Sequence, residues 1–352
     1  MVRTSLGRCG LALAVVIGAL IATMPLQAAE DNAYTVTPLV SDQPGAAPVV
    51  DPNLVNAWGL TASSTSPWWV ADNGTSKSTL YNGNTGQPVP LVVSVGVDSG
   101  PTGVVFNGGA GFAVTNGTTS APARFIFDSE DGLIRGWNPG VDPTNAVVAP
   151  ANADPDAIYK GLAITGGMLY ANDFHNGVVD VFDGSWNLVN QFTDPGLPSG
   201  YAPFGIQAIG SRIFVSFAKQ DTDAKDEIAG QGLGFVDVFD TAGNLVARVA
   251  QHGLLNAPWG LALAPADFGR FSGDLLVGNF GDGKINAFEQ QSNGRFGFRG
   301  QLRNGSGHPI DIDGLWALEF GNGANAGPMN TLFFTAGPDG ESHGLFGRIT
   351  AG

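Results

Sequence analysis

The stretch Trp259-Gly260-Leu261-Ala262-Leu263 opens with a three-residue motif that occurs six times along the chain. In each copy an aromatic or polar residue precedes glycine or alanine, and an aliphatic residue that starts a strand follows. The copies are Trp58-Gly59-Leu60, Thr102-Gly103-Val104, Lys160-Gly161-Leu162, Phe204-Gly205-Ile206, Trp259-Gly260-Leu261 and Trp316-Ala317-Leu318. Successive copies lie 44 to 58 residues apart, a spacing that suits one small antiparallel sheet with its loops. The motif therefore predicts an all-β chain folded as a six-bladed β-propeller.

Each repeat contains short strand signals separated by Gly, Asp and Asn turns. The third repeat predicts strands at 161–165, 168–171, 178–182 and 188–192, and the fifth at 259–264, 274–278, 284–289 and 296–302. The second repeat is the least regular, with strands predicted at 103–106, 112–115, 124–127 and 133–137. The mature sequence has no amphipathic stretch of helical length, so a helical fold is excluded.

The last repeat stops one strand short, with strands predicted at 315–320, 331–335 and 344–350. A spare strand signal lies near the other end of the chain, at 34–40. Propellers commonly pair the N-terminal strand into the final blade, because this pairing removes two exposed strand edges. We therefore expect the propeller to be closed by the N-terminal strand joining the last blade.

The N-terminal residues have the pattern of a secretory signal peptide. Arg3 and Arg8 precede an apolar run at 11–21, and small residues follow at 28–29. The run falls short of the roughly 20 apolar residues that span a bilayer. We predict a signal peptide at 1–29, a single propeller domain at 30–352 and no membrane span in the mature chain. The mature protein is expected to be secreted or periplasmic.

The chain is strongly acidic. It has 31 Asp and Glu residues against 16 Lys and Arg residues, which gives a formal net charge of −15. Such a protein repels phosphate backbones, so we expect no nucleic-acid partner. We expect a monomer whose partner is a small molecule, a glycan or another protein.

Two sets of residues carry a resemblance to known propellers. The stretch 256–263 with 274–288 resembles an NHL-type repeat, in which a Pro-x-Gly-Leu strand is followed by a strand ending in Asp or Asn. The stretches 217–221, 234–240 and 332–341 resemble a family of secreted bacterial six-bladed propellers without an assigned activity. Some members end in an exosortase sorting tail, which this sequence does not show. Related propellers include metal-dependent lyases and lactonases as well as binding scaffolds, so the resemblance implies the fold and leaves the activity open.

The loops between second and third strands are expected to gather at one mouth of the channel, because the innermost strand starts where the second strand ends. These loops are 72–77, 128–132, 172–177, 218–233, 279–283 and 336–344. Their acidic residues predict a calcium site or a site for a cationic ligand. The candidate ligand-binding acids are Asp221, Asp223, Asp226, Asp282, Asp339 and Glu341. The alternative is that they stabilise their own turns, where Asp is favoured.

Three further polar residues are predicted to occupy matching places at the ends of second strands. These residues are Asp72, Asn172 and Asn279. At this level they can point into the channel and hold a metal ion such as Ca²⁺. The alternative is that each one caps the turn within its own blade.

His175 and His343 belong to the same loops. A channel histidine beside Asp173 or Glu341 can act as a general base, because its pKa lies near neutral pH; the alternative is a solvated loop side chain. Trp58 begins an inner strand and can form part of an aromatic rim for a planar ligand, or it can pack between blades.

Two hypotheses follow. The first is a secreted or periplasmic propeller that binds a ligand or partner protein at an acidic channel mouth, with or without Ca²⁺. The second is a metal-dependent lyase or hydrolase, similar to a lactonase, acting in the central channel. Its metal would be held by Asp72, Asn172 and Asn279, with His175 or His343 moving a proton. We favour binding, because no catalytic motif such as Gly-x-Ser-x-Gly occurs in the sequence.

Overall fold

Six antiparallel sheets, arranged as the blades of a β-propeller, form almost all the regular structure in the computed structural model, which describes residues 1–2, 31–151 and 154–352. The all-β, six-bladed propeller predicted from the repeat motif is therefore confirmed. The predicted signal peptide at 1–29 lies outside the described residues, apart from its first two. Within the described part of the chain, no helix has the length and hydropathy needed to cross a bilayer.

The strands of each blade are given from the channel outwards. Blade 1 contains Ala57–Thr61, Trp68–Asp72, Lys77–Tyr81 and Val93–Ser94. Blade 2 contains Pro101–Phe106, Phe125–Ser129, Ile134–Trp137 and Val147–Val148. Blade 3 contains Tyr159–Thr165, Met168–Asp173, Val178–Phe182 and Leu188–Phe192.

The second half of the chain continues the pattern. Blade 4 contains Tyr201–Ile209, Arg212–Gln220, Phe235–Asp240 and Leu245–Gln251, and the short strand Glu227–Ile228 pairs with its second strand. Blade 5 contains Pro258–Leu263, Leu275–Asn279, Ile285–Gln290 and Phe296–Gln301. Blade 6 contains Leu315–Phe320, Leu332–Ala336, Leu345–Ala351 and Tyr34–Ser41. Single turns of 3-10 helix occur at Asn73–Thr75 and Gly269–Phe271.

The N-terminal strand Tyr34–Ser41 closes the propeller, as predicted. It pairs antiparallel with Leu345–Ala351 over its whole length, from Tyr34 opposite Ala351 to Ser41 opposite Leu345. The short strand Val49–Val50 then adds to its outer edge in parallel. The paired residues are more than 290 positions apart in sequence. The pairing therefore completes blade 6 and joins the two ends of the segment 31–352.

Deleting residues 31–42 is expected to lower the thermal midpoint of unfolding sharply. The deletion removes the fourth strand of blade 6 and leaves the edge of Leu345–Ala351 unpaired. The measurement is a thermal melt followed by circular dichroism, with the intact chain beside the deletion. An unchanged midpoint would refute closure by this strand.

One of the four strands predicted for the second repeat was wrong, and the other three match blade 2. The stretch predicted as its second strand, 112–115, lies outside the blade and forms a separate hairpin, Ala113–Thr115 with Ser120–Pro122. This hairpin is held by blade 3: the Trp186 indole Nε1 donates to the Ala113 carbonyl at 2.8 Å, and the Phe112 ring meets the Trp186 ring edge-on at 4.9 Å. A long-range contact therefore overrides the local alternation of apolar residues.

The glycine of the repeat motif is explained by the close approach of neighbouring inner strands. A Cβ atom on Gly59 would lie 2.5 Å from the Thr102 carbonyl oxygen, and one on Gly260 would lie 2.5 Å from the Trp316 carbonyl oxygen. On Gly205 it would lie closer still to the Trp259 carbonyl oxygen. Backbone atoms cannot turn away as a side chain can, so these positions need glycine. Five buried apolar clusters fill the spaces between successive blades, and a sixth reaches from the space between blades 6 and 1 to the channel.

Candidate functional site

The first residues of the six motifs meet around the propeller axis and close one end of the channel. All six are buried, and they are Trp58, Thr102, Lys160, Phe204, Trp259 and Trp316. The loops between second and third strands lie at this same end, because the first residues of each inner strand pair with the last residues of the second. We call this end of the channel the mouth.

Aromatic rings form the floor of the mouth. The Trp58 and Trp316 rings stack with centroids 3.6 Å apart, and the Trp259 ring meets both of them edge-on. Only 2 % of Trp58 is exposed, so its ring packs between blades, as the alternative interpretation had it. The rings therefore supply a rigid apolar floor rather than an open rim.

Lys160 lies on this floor and was missed as a site residue. Its Nζ atom lies 2.5 Å from Glu130 Oε1 and 3.2 Å from Asp226 Oδ1, and 5.1 Å from the centre of the Trp58 ring. Its backbone carbonyl accepts a hydrogen bond from Trp259 Nε1 at 2.8 Å. The side chain is only 1 % exposed. The sequence did contain a signal, because Lys160 is the one charged residue among the six first motif positions.

Amide side chains connect the carboxylates of the mouth to one another. Asn73 Nδ2 donates to Glu130 Oε2 at 3.0 Å, and Asn56 Nδ2 donates to Glu341 Oε2 at 2.7 Å. Asn56 Oδ1 in turn accepts from Trp316 Nε1 at 2.9 Å. Residues of blades 1, 2 and 6 and their loops are therefore tied together, and the carboxylates are held at fixed positions above the aromatic floor.

The charges of the mouth interact strongly. Burial acts to lower the pKa of Lys160, but the carboxylates around it, Glu130 foremost, raise that pKa above its ordinary value. Burial acts to raise the pKa of Glu130, and the Lys160 ammonium outweighs it, so the pKa is lowered. Burial raises the pKa of Glu227 to about 8, since the charge of Lys160 offsets only part of the desolvation. It also raises the pKa of Glu341. One ammonium therefore does not compensate all the carboxylates near it.

Two of the remaining candidate acids, Asp221 and Asp282, are turned toward their own loops, whereas Asp223 is exposed and Asp339 extends to the segment after the N-terminal strand. Asp221 accepts hydrogen bonds from the backbone of Asp223 and Lys225, and Asp282 pairs with the Lys284 ammonium at 3.2 Å. Asp339 Oδ2 accepts from Gln43 Nε2 at 3.4 Å. Of the predicted acids, Asp226 and Glu341 are the ones that join the cluster around Lys160. We call the set Lys160, Glu130, Asp226, Glu227 and Glu341 the lysine–carboxylate cluster.

The proposed metal ligands do not occupy matching places. Asp72 and Asn279 pair with the residue just before the motif, whereas Asn172 lies opposite the bulge that the motif forms in the inner strand. The residue of blade 3 that matches them is Asp173. The prediction was wrong here because it aligned Ala171 with Ala71, whereas the register aligns Ala171 with Val70: each pairs with the leucine of its motif.

The local contacts of these three side chains also differ. Burial raises the pKa of Asp72 well above its ordinary value. Asn279 Nδ2 donates to the Leu254 carbonyl at 2.8 Å and to Asp282 Oδ1 at 2.9 Å, which is a turn-capping role. Asn172 is fully buried within blade 3. Within 31–151 and 154–352, no group of three or more His, Cys, Asp or Glu residues is arranged to hold a metal ion.

The two histidines do not form the pairs expected of them. His175 Nδ1 lies 3.3 Å from the Ala224 carbonyl oxygen, and His343 Nδ1 lies 2.7 Å from Asp42 Oδ2. The carboxylates expected beside them have other partners: Asp173 Oδ2 accepts from Asn176 Nδ2 at 2.7 Å, and Glu341 accepts from Asn56. His343 therefore joins the loop of blade 6 to the segment after the N-terminal strand.

Below the aromatic floor, the inner strands enclose a cavity of about 190 Å³. Most of its lining side chains are apolar, and Glu319 is the one ionisable side chain among them. Burial raises the pKa of Glu319 to about 8. The channel proper is therefore separated from the lysine–carboxylate cluster by the stacked tryptophans and holds a carboxyl group that favours its neutral form.

The protein is expected to be more stable at pH 5 than at pH 8.5. Burial raises the pKa values of Asp237, Asp128, Glu227 and Glu319 to about 6, 7, 8 and 8. A carboxyl group whose pKa is higher in the folded than in the unfolded protein stabilises the fold. This contribution is complete below the unfolded pKa, near 4, and is lost as the pH rises through the folded pKa. We expect the thermal midpoint to fall by roughly 5 °C or more over this interval. A midpoint that stayed level or rose would contradict these shifts.

Comparison with known proteins supports the fold and a family. The chain is 35% identical over 329 residues to uncharacterized protein R648 of Acanthamoeba polyphaga mimivirus, a match that covers 90% of this chain and 80% of the viral protein. No family model matches the chain. The viral relative supports neither the bacterial origin nor the export that the sequence features led us to expect.

Two solved propellers have a similar fold. Virginiamycin B lyase from Staphylococcus aureus matches with a TM-score of 0.52 and 13% identity, covering 90% of this chain and 99% of the lyase. The aldose sugar dehydrogenase from Escherichia coli, in its apo-form, matches with a TM-score of 0.54 and 11% identity, covering 91% of this chain and 100% of the enzyme. At these identities the likeness concerns the fold alone.

Proposed function

The chain belongs to the same family as the mimivirus protein R648, and we propose that this family member is a binding protein whose mouth takes a cationic group. The group would be an amine or guanidinium of a small molecule, or a Lys or Arg side chain of a partner protein. The proposal rests on the lysine–carboxylate cluster: one buried ammonium is surrounded by four acidic side chains.

The observation that carries the proposal concerns the partners and the pKa values of Glu227 and Glu341. Lys160 is in ion-pair contact with Glu130 and Asp226, whereas Glu227 forms no ion pair with the other described residues and Glu341 has only the neutral Asn56 amide. The pKa of Glu227 is raised to about 8 and that of Glu341 is also raised. Neither carboxyl group is in direct contact with a cation among the described residues, and a bound cation would provide that contact.

An organic cation suits this arrangement better than Ca²⁺. Calcium takes about six to eight oxygen ligands, but two of the acids nearest the axis already bind an ammonium that lies among them. The indole rings of the floor are buried and stacked on one another, so the carboxyl groups above them are the groups that would bind a cation. An ammonium group has three N–H donors, and the carboxyl oxygens of Glu227 and Glu341 can accept them.

The test is calorimetric titration of the purified protein with 1,4-diaminobutane at low ionic strength, using 1,4-butanediol as the uncharged probe of the same length. We expect saturable binding of the diamine and none of the diol. The double variant Glu227→Gln/Glu341→Gln should bind the diamine at least about tenfold more weakly, since it removes the two uncompensated carboxyl groups.

The matched control is Asp282→Asn/Asp339→Asn. This variant removes the same number of carboxylates from loops of the same mouth, but from acids outside the lysine–carboxylate cluster, since Asp282 bonds within its own turn and Asp339 bonds Gln43. It should bind the diamine almost as the parent does. Equal loss in both variants would mean that only net charge matters, and stoichiometric binding of CaCl₂ at Glu227 and Glu341 without diamine binding would favour the calcium alternative.

A further inference from the structure

A second pocket lies at the end of the propeller opposite the mouth, between blades 4 and 5. It has a volume of about 820 Å³, within the range usual for small-molecule sites. Its walls are the tight turn after Ile209 in blade 4 and the turn at 291–295 in blade 5, together with the outer parts of both sheets. We call it the blade 4–5 pocket.

The walls of this pocket are largely apolar and open to solvent. Val246 is 47% exposed and Leu263 is 50% exposed, so both side chains are accessible to a ligand. The other apolar lining residues include Phe214, Val238, Leu275 and Phe296. Removing such surface from water is favourable for any ligand with a hydrocarbon part.

The charged residues of the pocket are all positive. Three arginines line it, Arg212, Arg248 and Arg295, and no Asp or Glu is among the lining residues. The chain as a whole has a net charge of −15, so a pocket lined by arginines and by no acidic residue differs from the rest of the molecule. Arg248 is held by Asp237 at 2.8 Å and by Asp194, so its charge is already compensated.

Arg212 and Arg295 have no such partner among the residues that the structure describes. The carboxylate opposite Arg212 in the sheet register belongs to Asp240, and this carboxylate accepts hydrogen bonds from its own turn, from the backbone of Ala242 and Asn244 at 2.9 Å each. Arg295 forms no ion pair within the described chain. The charge of Arg212 acts on Asp240 without an ion-pair contact, and both Arg212 and Arg295 are exposed, so both guanidinium groups are accessible to a ligand.

We propose that the blade 4–5 pocket binds an anionic amphiphile, a small molecule with one carboxylate and a hydrocarbon body. The carboxylate would bind Arg212 and Arg295, whose planar guanidinium groups match carboxylate oxygens in pairs. The hydrocarbon body would cover Val246, Leu263 and Phe296. This site lies at the opposite end from the mouth and does not depend on the function proposed there.

The experiment compares decanoate with 1-decanol, which has the same chain length and no charge, by calorimetric titration of the purified protein below the micellar concentration of decanoate. We expect one decanoate per chain, bound about tenfold or more tightly than decanol, because each charge-assisted hydrogen bond adds affinity. In Arg212→Gln/Arg295→Gln this preference for decanoate should disappear.

The control variant Arg124→Gln/Arg303→Gln removes the same charge from exposed arginines elsewhere and should keep the preference. A second variant, Leu263→Asn, should weaken both decanoate and decanol by a similar factor, since it alters the apolar wall alone. Circular dichroism melts of each variant establish that it is folded. Equal affinity for the two probes in the parent protein, or a preference that survives Arg212→Gln/Arg295→Gln, would overturn the proposal.

Discussion

Replacing Lys160 with methionine is expected to lower the free energy of unfolding at pH 8 by about 3–5 kcal/mol, the usual cost of removing one partner of a buried ion pair. Lys160 contacts Glu130 and Asp226, and its charge also acts on Glu227 and Glu341. Methionine keeps most of the buried volume but leaves these acids facing one another without a cation. The loss should become smaller toward pH 5, where protonation neutralises carboxyl groups of raised pKa.

The measurement is urea unfolding of Lys160→Met and the parent at pH 5 and pH 8. Lys225→Met is the control, because Lys225 is an exposed lysine of the same mouth that forms no ion pair within the described residues. It should change the stability by less than about 1 kcal/mol. If Lys160→Met were as stable as the parent at pH 8, Lys160 could not be the charge that holds the mouth together.

Replacing Gly205 with alanine is the second large expected effect. The added methyl group would overlap the backbone carbonyl oxygen of Trp259 in the neighbouring inner strand, so blades 4 and 5 would have to separate. We expect a loss of about 3 kcal/mol or more, at the upper end of the cost of overpacking, or failure to fold. Urea unfolding measures this loss directly.

Gly305→Ala is the matched control for this substitution. No atom lies within 4 Å of a Cβ added at Gly305, so the same change should leave the stability almost unaltered or raise it slightly. If Gly205→Ala proved as harmless as Gly305→Ala, the close packing of inner strands around the axis would be wrong.

The blade count could be predicted from the sequence because the close approach of inner strands imposes glycine or alanine once per blade. Closure could be predicted because Tyr34–Ser41 and an incomplete last repeat are both visible in the sequence. Three strands of blade 2 could also be predicted, whereas its true outer strand, Val147–Val148, has only two residues and was not. The misassigned stretch at 112–115 alternates like a blade strand, but its contacts with blade 3, including those with Trp186, hold it outside.

The acidity of the mouth could be predicted from topology, but not which acids reach its centre. Asp221 and Asp282 have short side chains, and each one turns back onto its own loop. The longer Glu130 and Glu341 extend to groups from other blades. Side-chain length thus separates most acids that bond within their own turns from the acids of the lysine–carboxylate cluster. Asp226 is the exception, because the long loop of blade 4 brings it near Lys160.

The most direct test of the cationic-ligand proposal is the number of protons released when 1,4-diaminobutane binds at pH 7, measured by calorimetry in two buffers of different ionisation enthalpy. At this pH Glu227, with a pKa of about 8, is mostly protonated, and a bound ammonium should displace that proton. We expect release of up to about one proton per ligand, lost in Glu227→Gln. Binding without proton release, or release that persists in Glu227→Gln, would contradict the account.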